Sequence, residues 1–153
     1  METKLTAGDP APAFDLPSEQ GRVSLSSLNG EWVVLYFYPK DFTSGCTEEA
    51  CDFRDALAAG DLEATVHGVS PDDVETHRRF RDEHDLDFPL LADVDNVVAK
   101  AYGAYGNKGA LGEGVKRSTF IIDPDGKVAK PYYNVTASGH VAAVAEDLAE
   151  LRS

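Results

Sequence analysis

The sequence predicts an α/β fold: one β-sheet covered by helices on both faces. Three observations carry this. The run "WVVLYFYP" (Trp32–Pro39) is β-branched and aromatic with no polar alternation, which suits a strand buried on both faces. From there to Gly103, strand-like runs alternate with helical stretches. A β-hairpin and an amphipathic helix then close the chain. With 153 residues and 42% hydrophobic content, residues 1–153 suffice for one domain with a real core. No linker, internal repeat or second domain is indicated.

Taken in order, residues 1–20 read as an extended, turn-rich lead-in punctuated by Pro10, Pro12 and Pro17. Arg22–Gly30 holds a short strand and a turn. After the Trp32–Tyr38 strand, turn residues lead into a helix from about Cys46 to Ala59, stopped by Gly60. Glu63–Ser70 is a second strand. Ser70 is placed to cap a helix that starts with Pro71 and runs to about His84. Phe88–Asp93 supplies a short strand and Asp95–Gly103 a short helix. The Gly-rich segment "AYGNKGALGEG" reads as a loop, without the context of a nucleotide-binding motif. Two apolar runs flank the turn Asp123–Gly126, the clearest hairpin in the chain. The last helix, Ser138 to Leu151, repeats apolar residues at helical spacing in Val141, Val144, Leu148 and Leu151.

A net charge of −13 argues against binding nucleic acid or an anionic membrane by bulk electrostatics. It reads as a well-solvated surface, with adaptation to high salt as the sharper alternative. The amino terminus carries no apolar run resembling a signal peptide, and the longest apolar stretch is far too short to span a bilayer. The expected compartment is the cytoplasm. Two cysteines in a cytosolic chain point to reactive redox chemistry more readily than to a structural staple.

Both thiols fall in "YFYPKDFTSGCTEEACDFRD" (Tyr36–Asp55). Cys46 is at or near the start of the predicted helix, where unpaired backbone N–H groups and the macrodipole favour a thiolate. That makes Cys46 the better nucleophile. Cys51 is on the helix body. Five residues turn it by roughly 140° and carry it about 8 Å away. A disulfide needs Cα atoms about 4.4–6.8 Å apart, so the two cannot bond while the helix is intact. Three readings stay open: an inert buried thiol, a metal site lacking further ligands nearby, or a disulfide formed once the helix start unwinds. Thr43, three residues before Cys46, could orient the sulfur or cap the helix. Glu49 shares the helix face of Cys46 and would need a cation beside it. Arg117, opening a later strand, is a candidate cation or a solvated surface residue.

This segment resembles the active-site stretch of the peroxiredoxins, with Pro39, Thr43 and Cys46 matching P-x-x-x-T/S-x-x-C. The second cysteine at Cys51 is similar to the bacterioferritin-comigratory-protein (PrxQ) subfamily, and Arg117 in "VKRSTFIIDPDGKV" falls at the family's active-site arginine. The likeness runs over essentially the whole chain. It implies a thioredoxin-like fold, a central mixed sheet with helices on both faces, and a thiol peroxidase without cofactor or metal. Cys46 would attack hydrogen peroxide or an alkyl hydroperoxide and become a sulfenic acid. Thr43, Arg117 and nearby backbone N–H groups would bind the peroxide oxygens. Pro39 would shield the thiolate, Glu49 would hold Arg117, and Phe42 would line the entrance. Cys51 would resolve the sulfenic acid as an intramolecular disulfide, which thioredoxin or a similar dithiol would reduce. The site would be complete in a monomer, with a weak homodimer as the alternative state. Tyr105 stands where related sequences often carry Trp.

Two other functions use these residues: a peroxide sensor passing its disulfide to a partner, and a thioredoxin-type oxidoreductase, disfavoured because C-x-x-C is absent. His67, His77, His84 and His140 are scattered, none beside a cysteine in sequence, and are read as structural or surface residues. Asn134-Val135-Thr136 matches a glycosylation acceptor but carries little weight without a secretory signal.

Overall fold

The computed structural model describes residues 4–153, so the first three residues of the predicted lead-in lie outside the described residues. The rest of that lead-in is more regular than expected. Strands β1 (Asp15–Ser18) and β2 (Gly21–Ser24) form an antiparallel hairpin. Pro17 hides β1 from a sequence reading, since proline cannot donate to a ladder. It is tolerated because β1 meets its other neighbour only through Ser18 and Leu91.

The remaining strands and α-helices are β3 (Val33–Phe37), α1 (Ser44–Ala59), β4 (Thr65–Ser70), α2 (Val74–His84), β5 (Leu90–Ala92), α3 (Val97–Ala101), β6 (Tyr105–Asn107), β7 (Glu113–Val115), β8 (Ser118–Ile122), β9 (Val128–Tyr132) and α4 (His140–Arg152). Among the described residues, seven strands form a mixed sheet in the order β2-β1-β5-β4-β3-β8-β9, with β3, β4 and β5 parallel and the others antiparallel to their neighbours.

β3 explains why both faces are covered. Val34, Tyr36 and Tyr38 point into a core with Ala50 and Phe53 of α1, Phe80 of α2, and Val144 and Leu148 of α4. The alternate residues Val33, Leu35 and Phe37 point into a second core with Val98 and Ala99 of α3 and Phe120 and Ile122 of β8. Period-two alternation on a strand apolar throughout therefore feeds two layers at once.

Three expectations need correction. The Gly-rich segment is not an open loop: β6 and β7 pair within it as a separate two-stranded sheet. Ser70 ends β4 instead of capping α2. The cap is Asp73, whose side chain accepts from the Thr76 N–H, while Ser70 Oγ donates to Asp72. Leu151 is 39% exposed, unlike Val141, Val144 and Leu148, because the helix runs past the edge of the core at its last turn.

The sheet also determines what meets at one end of the molecule. β3 and β8 are antiparallel with Phe37 opposite Ser118. The residue before β8, Arg117, therefore lies beside the residue after β3, Tyr38, where the chain turns toward α1. The carboxyl ends of parallel strands are the usual place for a site in such sheets.

Candidate active site

The loop from Tyr38 to Thr43 carries the chain off β3 and into α1. Pro39 is half-buried within it. Phe42 adopts φ 66°, a left-handed conformation unusual for a bulky residue, and is 47% exposed with its ring edge-on to Phe80 at 5.1 Å between centroids. Thr43 is the N-cap of α1 by backbone geometry (φ −88°, ψ 154°), but its side chain makes no cap hydrogen bond. Its Oγ1 donates instead to the Lys40 carbonyl at 3.0 Å.

α1 starts at Ser44, two residues earlier than the sequence suggests, so Cys46 is the third helical residue. The buried residues of α1 are Cys46, Glu49, Ala50 and Phe53, the spacing of one helix face. Cys46 is 1% exposed. Cys51 falls off this stripe and is half-buried; both thiols are free.

Arg117 joins the predicted residues. Its Nη2 donates to Cys46 Sγ at 3.2 Å, and its Nη1 donates to Glu49 Oε1 at 2.5 Å. The Arg117 side chain is 14% exposed and that of Glu49 is fully buried. Glu49 is a carboxylate in an otherwise apolar stripe, and its Oε2 has no hydrogen-bond partner. Burial pushes the Glu49 carboxyl up to about 7, against the opposing pull of Arg117. Burial also works against the charge on Arg117, but Glu49 and Cys46 outweigh it and hold its pKa up. The result is a fixed cation aimed at the sulfur, where it favours negative charge on Cys46 and on any oxygen bound next to it. Gly45 lies against this group: a Cβ there would come within 3.2 Å of Arg117 Nη2.

Sequence reading missed a second cluster. His77 of α2 is fully buried, with Nδ1 2.6 Å from Asp41 Oδ2 and Nε2 3.1 Å from the Leu91 carbonyl oxygen. Tyr38 OH donates to Asp41 Oδ1 at 2.5 Å, and the Asp41 N–H donates to Asp72 Oδ2 at 2.6 Å. Asp41, Asp72 and His77 place ligand-type atoms within 4.8 Å of one another, yet hydrogen bonds inside the protein already engage those of Asp41 and His77. The available signal was His77 at the same helical spacing as Phe80, a polar residue in a core position. Tyr105 begins β6 with the Lys100 ammonium over its ring at 4.8 Å from the centroid.

A sequence profile of the AhpC/TSA family matches residues 7–130, a span that includes the Cys46 loop, Cys51 and Arg117. The chain belongs to the AhpC/TSA family of peroxiredoxins. This peroxiredoxin is 51% identical over 153 residues to a Mycobacterium tuberculosis protein named as a peroxiredoxin, covering 95% of this chain and 96% of the other. It superposes on the crystal structure of a Xylella fastidiosa PrxQ mutant with a TM-score of 0.92 at 31% identity, over 99% of each chain. A Xanthomonas campestris bacterioferritin comigratory protein, described for its alkyl peroxide reduction, gives 0.86 at 34% identity over 92% of each chain. The fold is the thioredoxin-like fold of these peroxiredoxins. Membership makes the protein a thiol peroxidase, with a peroxide as substrate and a thiol as reductant. Among the described residues, no helix is long and apolar enough to cross a membrane.

Proposed function

We propose that this peroxiredoxin reduces hydrogen peroxide and organic hydroperoxides in the cytoplasm through Cys46 and Cys51, as a monomer recycled by thioredoxin or a similar dithiol. The observation that carries this reading is Arg117, which bridges the Cys46 sulfur and the Glu49 carboxylate with separate nitrogens. The organic substrates are supported by the alkyl peroxide reduction of the Xanthomonas relative.

The Cys46 thiolate attacks one peroxide oxygen. The S–O bond forms as the O–O bond breaks, giving a sulfenic acid and an alkoxide or hydroxide, which takes up the proton that the thiol released on ionising and leaves as alcohol or water. Arg117 and the N–H groups at the start of α1 offset the charge moving onto the leaving oxygen. Thr43 Oγ1 donates to the Lys40 carbonyl, so its lone pairs remain to accept from the peroxide O–H. Glu49 holds Arg117, Pro39 shields the sulfur from bulk water, and Phe42 stands at the entrance.

Cys46 is 1% exposed, so a protein thiol cannot reach its sulfenic acid without movement of the loop. Cys51 lies on the same helix, too far for a bond while α1 is formed. The first turns of α1 unwind, the Cys51 thiol displaces hydroxide from the sulfenic acid as water, and a disulfide forms. A dithiol then exchanges with that disulfide, taking the oxidation onto itself.

One equivalent of hydrogen peroxide should remove two hydrogens from the intact mass, with Cys46 and Cys51 linked by peptide mapping. Cys46→Ser should abolish peroxide consumption. Cys51→Ser should complete one turnover and then stall before thioredoxin. Multiple turnover by Cys46→Ser would refute the reading.

A further inference from the structure

The catalytic loop has a tether that the proposed chemistry leaves unused. A carbonyl carries no hydrogen, so the bond to Leu91 requires His77 Nε2 to bear one. The 2.6 Å contact between His77 Nδ1 and Asp41 Oδ2 needs a proton between them. As imidazolium with carboxylate, or imidazole with carboxylic acid, the pair holds that one proton and has no net charge. Such a pair suits a site where both side chains are fully buried.

The other hydrogen bonds of Asp41 tie the loop to its own start and to other parts of the fold. Tyr38 OH, at the end of β3, donates to its Oδ1. Its own N–H donates to Asp72 Oδ2, just after β4, and Asp72 is oriented in turn by Ser70 Oγ at 2.8 Å. His77 adds α2 and, through Leu91, β5. The next residue, Phe42, is in the left-handed region. A phenylalanine has no local reason to be there, so the flanking contacts hold it. Thr43 and α1 follow directly.

We propose that His77 is a positioning residue for Cys46: through Asp41 it latches the Tyr38–Thr43 loop in the conformation that starts α1 beneath Arg117. With the latch closed, the sulfur faces Arg117 and peroxide. With it broken, loop and first turn are free to open toward Cys51. The inference rests on Cys46 being the attacking thiol.

Two substitutions separate the two bonds of His77. His77→Asn puts an amide N–H near the Nδ1 position and keeps donation to Asp41. His77→Gln reaches the Nε2 position, keeps Leu91 and abandons Asp41. The reaction of each reduced protein with hydrogen peroxide is followed by stopped flow, and disulfide formation by quenched intact mass. His77→Gln should slow the peroxide step by about tenfold or more, His77→Asn should recover to within about threefold of the parent, and neither should slow disulfide formation. Equal slowing by both variants, slowed disulfide formation, or a His77→Gln rate within about twofold of the parent overturns the proposal. If His77→Gln does not fold, Tyr38→Phe removes one hydroxyl from Asp41 while keeping the ring. It should slow the peroxide step about threefold and raise amide exchange over residues 40–44; no change in either overturns the latch. Cys46→Ser is the control. If it still consumes peroxide, the attacking-thiol reading has failed; if it is inert while His77→Gln reacts at the parental rate, only the latch has failed.

Discussion

Arg117 spends its terminal nitrogens on different atoms, one on Cys46 Sγ and one on Glu49 Oε1. A planar fork does this and a lysine ammonium does not, because a single nitrogen cannot keep both geometries. The neighbour that leaves room beside the fork is Gly45. Alanine is the better helix former by about 1 kcal/mol, so Gly45→Ala should help α1 as a helix. Its Cβ, however, would press on Arg117 Nη2 at 3.2 Å. We therefore expect Gly45→Ala to keep or raise the melting temperature while lowering the second-order rate with peroxide by about tenfold. Thermal melts and stopped-flow kinetics on the same preparation test this. A fall in both would point to general loss of packing.

α1 has two halves with different duties. From Arg54 onward it is anchored: Arg54 Nη1 donates to the His84 carbonyl at 2.6 Å, and Gly60 closes the end in a left-handed conformation at φ 79°. The half before Arg54 contains both cysteines and is the part that must unwind for them to meet. Glu48 is exposed in this half, so changing it alters helix propensity with little effect on packing. Glu48→Gly should cost the local helix about 1 kcal/mol and speed disulfide formation about fivefold, if opening precedes the bond. Quenched mass spectrometry after a peroxide pulse measures it. An unchanged rate would show that disulfide formation does not wait on the helix. The two halves were legible in part. Gly60 is the kind of residue that a helix stop favours, whereas the Arg54 anchor joins residues 30 positions apart and has no local signature.

At the scale of the whole molecule, three buried titratable groups pull stability in opposite directions. Glu49 is raised by burial from 4.5 to about 7, so the unfolded chain ionises first as pH climbs and the native state is left with the penalty. Stability is therefore lost progressively as pH rises from 4.5 to 7. His67 and His140 are lowered from 6.5 to about 4, mainly by burial, with the Arg117 charge adding to it at His140. Below pH 6.5 the unfolded chain takes up protons that these native rings refuse, so they remove stability as pH falls toward 4. Comparing Glu49→Gln with the parent isolates the carboxyl. Urea titrations from pH 4.5 to 7 should show the variant gaining on the parent by up to about 3 kcal/mol as pH rises. A constant difference across that range would mean that Glu49 is ionised throughout.

Local chemistry made much of this protein readable from sequence. Runs buried on both faces, turn residues and helix stops depend on near neighbours, so strands β3, β4 and β8 and helices α1, α2 and α4 were all within reach. The Cys46 segment was readable for the same reason, since Pro39, Thr43 and Cys46 sit within eight consecutive residues. Tertiary structure alone decided the rest. The contact between Arg117 and Cys46 spans 71 positions and exists because β8 runs antiparallel to β3 with Ser118 opposite Phe37. His77 reached Asp41 across 36 positions only when α2 packed over the end of the sheet. Spacing along a chain governs which face a residue takes, but the pairing of distant charges follows from strand register, which only the folded sheet supplies.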